Sequence, residues 1–412
     1  MPLPPSVIAR FAYVEIGFTK AGLLRVGSAA GLLDVDATDV LILAHGWNET
    51  VTSARDLYGL ILAQVRGVLG DGQPPAAPLN VAVVGVQWPS MILTGDVAAG
   101  VDGWRTSVRA ALPRRFQPDV DELFALLDAR PASRDDVVHF MALLRRLAGA
   151  VPGARRDDDG DRAIVASADP FFDLQALVEP QAAAGFADVF DRVWRGAREA
   201  LRATTFWQMK RRAATTGALG LGPLLADVAL KRPEARLHLI GHSFGARLVA
   251  NALPSLSATS SNVASMTLLQ GAFSHFAFAE RLPQEPTRRG QLAGMESRVR
   301  GPIVATHTRA DTALSTLYPL AARMSGDDAA DVDRVSRFGA LGADGAQLSG
   351  ARATKLLAAG APYTLTSGHV TNVDANAVMN RGGPPDGAHS DLGHPELGWL
   401  IASAAGLRRP KS

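Results

Sequence analysis

The pentapeptide Gly-His-Ser-Phe-Gly, Gly241 to Gly245, sets one serine between two glycines where the apolar run "ARLHLIGHS" gives way to the amphipathic stretch "FGARLVANAL". Between a strand and a helix, this spacing makes a turn too tight for ordinary backbone angles. The serine must take a strained conformation, and the residues two positions to either side must be small enough for strand and helix to approach closely. Such a turn lifts the Ser243 hydroxyl clear of the strand, beside the N–H groups that open a helix at Phe244. A serine held this way is suited to attack on an acyl carbonyl, with an amide to stabilise the oxyanion, once a base and an acid are brought to it. Other chemistries have less support. There is no cysteine, which excludes a thiol nucleophile, thiolate metal ligands and disulfides. The nine histidines do not cluster at metal-ligand spacing, and no His-Glu-x-x-His occurs. The acidic loop "RRDDDGDR", with Asp157 to Asp161, lacks the alternation and closing glutamate of a calcium loop and reads as solvated. Neither a metal nor a cofactor is expected.

The elements that must position this serine are legible along the chain. Short continuous apolar runs, as in parallel strands covered on both faces, occur at "DVLILAHGWNE" from Asp39, "LNVAVVGVQWPS" from Leu79, "ARLHLIGHS", "VASMTLLQGAF" and "GPIVATHTRAD". Between the first two, "TSARDLYGLILAQVRGVLG" has helical spacing, with Thr52 or Ser53 as N-cap candidates and Gly70 as a stop. Another helical stretch, "GPLLADVALKRPE", precedes the serine-bearing strand. The alternation predicts an α/β fold with a mostly parallel sheet flanked by helices. From about Met91 to Arg202 the chain carries helical patterns such as "VDELFALLDAR" and "DVVHFMALLRRLAGA" but no convincing strand. The predicted organisation is a core of residues 1–90 and 203–412 interrupted by a helical insertion, 91–202.

Composition sets the outer limits. The chain has 412 residues, 47% of them hydrophobic and 20% charged, enough apolar material for a large core and too much for disorder. Its formal charge is only +2, from 42 basic against 40 acidic residues, which is no footprint for nucleic acid. The short basic stretch "WQMKRRAATTG", Trp207 to Gly217, reads as a solvated helix face. No uninterrupted apolar run approaches the ~18 residues of a membrane span, and the N-terminus lacks the pattern of a secretory signal, so a cytoplasmic location is expected.

Together, "GHSFG" after a strand, "AHGWN" after an earlier strand, and an aspartate and then a histidine farther on resemble the α/β-hydrolase superfamily of serine hydrolases. The resemblance spans about Asp39 to Leu407 apart from the insertion, and it implies an α/β-hydrolase fold with the insertion as a cap. It also implies an oxyanion hole from the amides of Trp47 and Phe244, and a triad in the order Ser, acid, His. The acid of this family follows a late strand, and Asp311, just beyond "GPIVATH", takes that place. Asp327, Asp328, Asp331 and Asp374 compete. The base must follow the acid on a loop after the last strand, which leaves His369, His389 and His394. His369 opens the apparent strand "HVTNVDAN", and His394 stands before Pro395 at a helix start. His389, in the loop "RGGPPDGAHSDLGH", is the choice. His45 reads as a residue that orients its loop, and His242 as structural. The implied activity is hydrolysis of carboxylic esters through an acyl-enzyme, on a small-molecule ester with an apolar acyl group if Trp104, Phe116, Phe140, Phe171, Phe172 and Trp194 line a cap. The alternatives are a catalytically silent binding module of the same fold, or an acyltransferase or peptidase using the same triad.

Overall fold

The computed structural model describes residues 6–28, 30–33, 36–70, 80–90, 105–106, 108–109, 112, 114–150, 186–283, 286–315, 339–383 and 387–407. It divides into two compact units, one of Met1–Ser90, Arg212–Ser315 and Ala340–Ser412, the other of Met91–Arg211 and Thr316–Gly339. The second unit thus reaches nine residues past the expected insertion boundary at Arg202 and takes in a further segment. One helix runs unbroken from Phe186 to Thr216, so no turn residue marks the boundary in the sequence.

The first unit is built on a nine-stranded sheet: β1 (Ser6–Ile8), β2 (Phe11–Gly17), β3 (Asp39–Ala44), β4 (Val81–Gln87), β5 (Arg236–His242), β6 (Val263–Leu269), β7 (Ile303–His307), β8 (Arg352–Lys355) and β9 (Val370–Asp374). The spatial order is β1-β2-β4-β3-β5-β6-β7-β9-β8. Only β1 and β2 pair antiparallel, and every other neighbour is parallel. The central strands are continuous apolar runs because helices cover both faces; all six residues of β3 are buried. In chain order the helices are α1 (Ala30–Leu33), α2 (Val51–Leu69), α3 (Gln117–Ala129), α4 (Arg134–Ala150), α5 (Phe186–Thr216), α6 (Gly222–Lys231), α7 (Phe244–Ala250), α8 (Leu341–Asp344) and α9 (Pro395–Ala404).

On one face, α2 and α9 bury Ile61, Leu62, Val65, Leu397, Leu400 and Ile401 against Leu41, Leu43 and Val83 of the sheet. The cap of α2 is Thr50, earlier than the expected Thr52 or Ser53. Its side chain accepts from the Ser53 N–H at 3.0 Å while Ser53 Oγ accepts from the Thr50 N–H at 2.8 Å, a reciprocal pair that satisfies two otherwise orphaned donors. Gly70 ends the helix at φ 82°, as its position before a loop requires.

The stretch expected to be a solvated helix face is instead largely inside. Met209 and Thr216 are fully buried, Lys210 is buried with them, and the Arg212 guanidinium donates to the Pro89 carbonyl at 2.7 Å. The stretch Met209–Lys231 is long and apolar enough to cross a membrane, and 56% of an 18-residue window within it is buried. In the second unit Phe140 and Trp194 pack edge-to-face at 5.7 Å with almost no exposure, and Trp194 Nε1 donates to the Pro131 carbonyl. These two aromatics belong to that unit's own core, and Phe116 is half-buried. Trp104, Phe171, Phe172, Asp157–Asp161, Asp327, Asp328 and Asp331 lie outside the described residues.

Candidate active site

From β3 the chain steps to β4 on one side and then crosses to β5 on the other, so the loops leaving β3 and β5 diverge at their carboxyl ends. Such a switch point is where open parallel sheets form a crevice. Gly46 follows β3 and Ser243 follows β5, and the two turns touch: a Cβ placed on Gly46 would lie 3.0 Å from Ser243 Cβ and 3.4 Å from its Oγ.

Ser243 sits at φ 57°, ψ −121°, a conformation costing on the order of 1–3 kcal/mol for a residue other than glycine. Three backbone hydrogen bonds impose it. The Ser243 N–H donates to the Leu269 carbonyl at 3.0 Å, and the Ser243 carbonyl accepts from Ala246 and Ala272, each at 3.1 Å. The flanking glycines have a steric role. A Cβ on Gly241 would stand 2.4 Å from the Gly245 carbonyl oxygen, and one on Gly245 would stand 2.0 Å from that of Ala44. Both obstacles are backbone and cannot swing away. Gly245→Ala is therefore expected to destabilise the fold by about 3 kcal/mol, read from the urea midpoint. An unchanged midpoint would mean that the helix can back away from β3 at little cost.

Of the three candidate bases, the structure brings His389 to the serine. His389 Nδ1 lies 2.7 Å from Asp311 Oδ2, and Nε2 lies 2.8 Å from Ser243 Oγ. A carboxylate only accepts, so Nδ1 carries the proton, Nε2 presents its lone pair, and the serine O–H donates to it. Asp311, four residues past β7, is fully buried, and its second oxygen accepts the Leu314 N–H at 3.0 Å. Ala388 N–H donates to the Ala310 carbonyl at 2.8 Å, which registers the histidine loop on the acid loop.

The competing residues stand elsewhere. His369 is exposed at the amino end of β9. His394 occupies the N-cap position of α9 without a side-chain cap bond, and its Nε2 meets Asp391 Oδ1 at 2.8 Å. Asp374 ends β9 with its carboxylate turned onto the Asn376 backbone N–H and side-chain amide. A second line of the same residue types, Ser265, His238 and Asp39, is linked at 2.9 and 3.0 Å. It lies at or near the amino ends of β6, β5 and β3, with Ser265 buried in β6 beside a shift in the β5–β6 register and Arg236 paired to Asp39, away from the carboxyl ends where Ser243 stands.

Trp47 and Phe244 also come together, their rings 6.5 Å apart. The turn that carries Trp47 is held by side chains not anticipated from the sequence. The Tyr58 hydroxyl accepts the His45 N–H at 3.0 Å, and Trp88 Nε1 donates to the His45 carbonyl at 3.0 Å. A further contact belongs to His242, whose Nε2 meets the His389 carbonyl at 2.8 Å. Among the described residues, no group of three histidine or acidic side chains is placed to hold a metal.

Burial also sets the charge state of the surrounding imidazoles. His45 is pushed down to about 4 by desolvation, against the opposing pull of its bond to the Gly46 carbonyl, and His242 to about 3 by desolvation and then by the charge of His389. His238 and His307 are lowered as well, desolvation being the largest cause for each. In the unfolded chain these rings titrate near ~6.5. The unfolded state therefore binds protons first, and the stability present in full above that pH drains away as pH falls towards the folded values. By pH 5 the loss is on the order of 2 kcal/mol for each of His45 and His242. The urea midpoint is expected to fall steadily from pH 7 to pH 5, and a flat profile would contradict neutral burial of these rings.

No family model, no curated protein and no solved structure matches this chain.

Proposed function

We propose that the protein is a serine hydrolase of the α/β-hydrolase type that cleaves carboxylic esters through an acyl-enzyme. The observation that carries this reading is the hydrogen-bonded line Ser243–His389–Asp311, with the serine on a strained strand-to-helix turn at the carboxyl end of a parallel sheet. Ser243 Oγ attacks the acyl carbonyl while His389 Nε2 takes its proton. The tetrahedral oxyanion is held by the amides of Phe244 and Trp47. His389 then returns the proton to the departing alcohol, leaving an acyl-serine. Water, deprotonated by the same nitrogen, hydrolyses that ester and restores the enzyme. Asp311 holds the Nδ1–H tautomer and stabilises the imidazolium formed in each half-reaction. The fully buried carboxylate and the partly exposed imidazole suit these roles, since the base must reach substrate and the acid need not.

The test combines a fluorophosphonate label with mass mapping of the labelled peptide, and a chain-length series of p-nitrophenyl esters. A single adduct on Ser243 and turnover of at least part of the series is the expected result, and the series reads acyl preference directly. A folded protein that neither labels nor turns over any ester would leave the silent binding module as the better reading.

A further inference from the structure

His242 comes immediately before the nucleophile, yet its ring does not point into solvent. As the last residue of β5 it is held in the sheet opposite Leu269 of β6, so its Cα is among the most firmly placed near the site. From there the ring reaches the loop that follows β9. Its Nε2 lies 2.8 Å from the main-chain oxygen of His389, and the two imidazoles are 4.9 Å apart at 45°. The partner is a carbonyl, which only accepts, so His242 must carry its proton on Nε2. Its Nδ1 is buried without a hydrogen-bond partner among the described residues, with the Gly46 turn against it: a Cβ on Gly46 would lie 3.5 Å from that nitrogen. A lone pair is tolerated there, whereas a second N–H would be buried with no acceptor.

We propose that His242 is a positioning residue for the reaction assigned to Ser243: its Nε2–H holds the His389 carbonyl and so fixes the base against the strand that carries the nucleophile. The inference rests on the Ser–His–Asp reading of the site. The histidine loop is tied down on both sides of the imidazole. Ala388 N–H ties it to the acid loop through the Ala310 carbonyl, and His242 ties the next residue to β5. The first tie sets the distance from His389 to Asp311 and the second sets the distance to Ser243. Losing the second leaves the histidine–aspartate pair intact but free to drift from the serine oxygen. Misplacement of that order leaves substrate binding alone and slows the chemical step. The burial that depresses this imidazole to about 3 keeps it a neutral Nε2–H donor throughout the working pH range.

The test compares two amides that differ only in reach. The His242→Gln amide extends to the place of Nε2, whereas that of His242→Asn stops one bond short of the carbonyl. On a p-nitrophenyl ester, His242→Asn is expected to lower kcat by about 10- to 100-fold with KM nearly unchanged, and His242→Gln to recover most of the loss. The low-field proton resonance of His389 Nδ1–H should persist in both, because the bond to Asp311 is untouched. Equal activity of wild type and His242→Asn, or equal loss in both variants, overturns the proposal. A measurement on the unaltered protein stands apart from folding of the variants and from turnover. Nitrogen-15 NMR of the imidazoles should find His242 neutral with its proton on Nε2 at pH 5, and a proton on Nδ1 overturns the proposal. Should the wild-type protein hydrolyse no ester, the functional reading fails, while the NMR experiment still decides whether His242 holds the His389 loop.

Discussion

Ser243→Ala is expected to lower ester hydrolysis by about 10⁴-fold or more while leaving the fold intact. The rate loss follows from geometry. Ser243 Oγ is the oxygen that His389 Nε2 faces at 2.8 Å, and the serine of the similar line, Ser265, is committed to His238 near the amino ends of the strands. The small cost to stability follows from the same contacts. The backbone bonds that impose the strained turn run through the Ser243 N–H and carbonyl, which alanine keeps, and the side chain removed is a single hydroxyl bonded to a partly exposed ring. Initial rates on a p-nitrophenyl ester and the urea midpoint, measured on one preparation, check both halves. Turnover near the wild-type rate, or a fluorophosphonate adduct on another serine in the variant, would remove Ser243 from the reaction.

Asp311→Asn should be nearly as damaging, at about 10⁴-fold, through the tautomer of His389 rather than through lost contacts. The Leu314 N–H donates to Asp311 Oδ1, so the new side chain places its carbonyl oxygen there and its NH₂ where Oδ2 now faces His389 Nδ1. A donor at that place forces the imidazole proton onto Nε2. That nitrogen then meets the serine oxygen as a donor and can no longer take its proton. The geometry survives while the chemistry stops. Asp374→Asn is the matched control, because that carboxylate faces the Asn376 amides and no imidazole of the site. If Asp374→Asn were the inactive variant and Asp311→Asn kept substantial activity, the acid would be misassigned.

Much of the α/β framework is legible because its signals are local. The runs at β3, β4, β5, β6 and β7 are continuous and apolar, and a strand buried on both faces leaves that pattern in any sequence. The outer strands β1, β2 and β8 escaped for the converse reason. Arg352–Lys355 has almost no apolar content and is a strand only because β9 offers it a row of backbone partners. Phe11–Gly17 alternates weakly and is drawn in by β4, a partner some 70 residues away in the chain. The basic stretch around Lys210 is buried although its charges mark it as solvated, because a run of charges along the chain does not report burial. Tyr58, Trp88 and His242 carry no sequence signal for their place beside the site: each acts through a backbone atom of another segment, and such a bond leaves no mark at either end of the sequence.

The sequence by itself determined the elements whose cause lies within a few residues. These are the covered strands and the turn at Gly241–Gly245, where a Cβ on Gly241 would meet the Gly245 carbonyl four residues on. It also narrowed the base and the acid to a few residues each, since loops after late strands are few. Only the tertiary structure decided among them. Ser243, Asp311 and His389 are separated by tens of residues, and their hydrogen bonds depend on the strand order β5-β6-β7-β9 bringing three loops to one end of the sheet. A choice between His389 and His394, five residues apart, turns on which imidazole the loop aims back across β5. That is set by the bonds from Ala388 to Ala310 and from His242 to His389, long-range contacts that exist only once the sheet has formed.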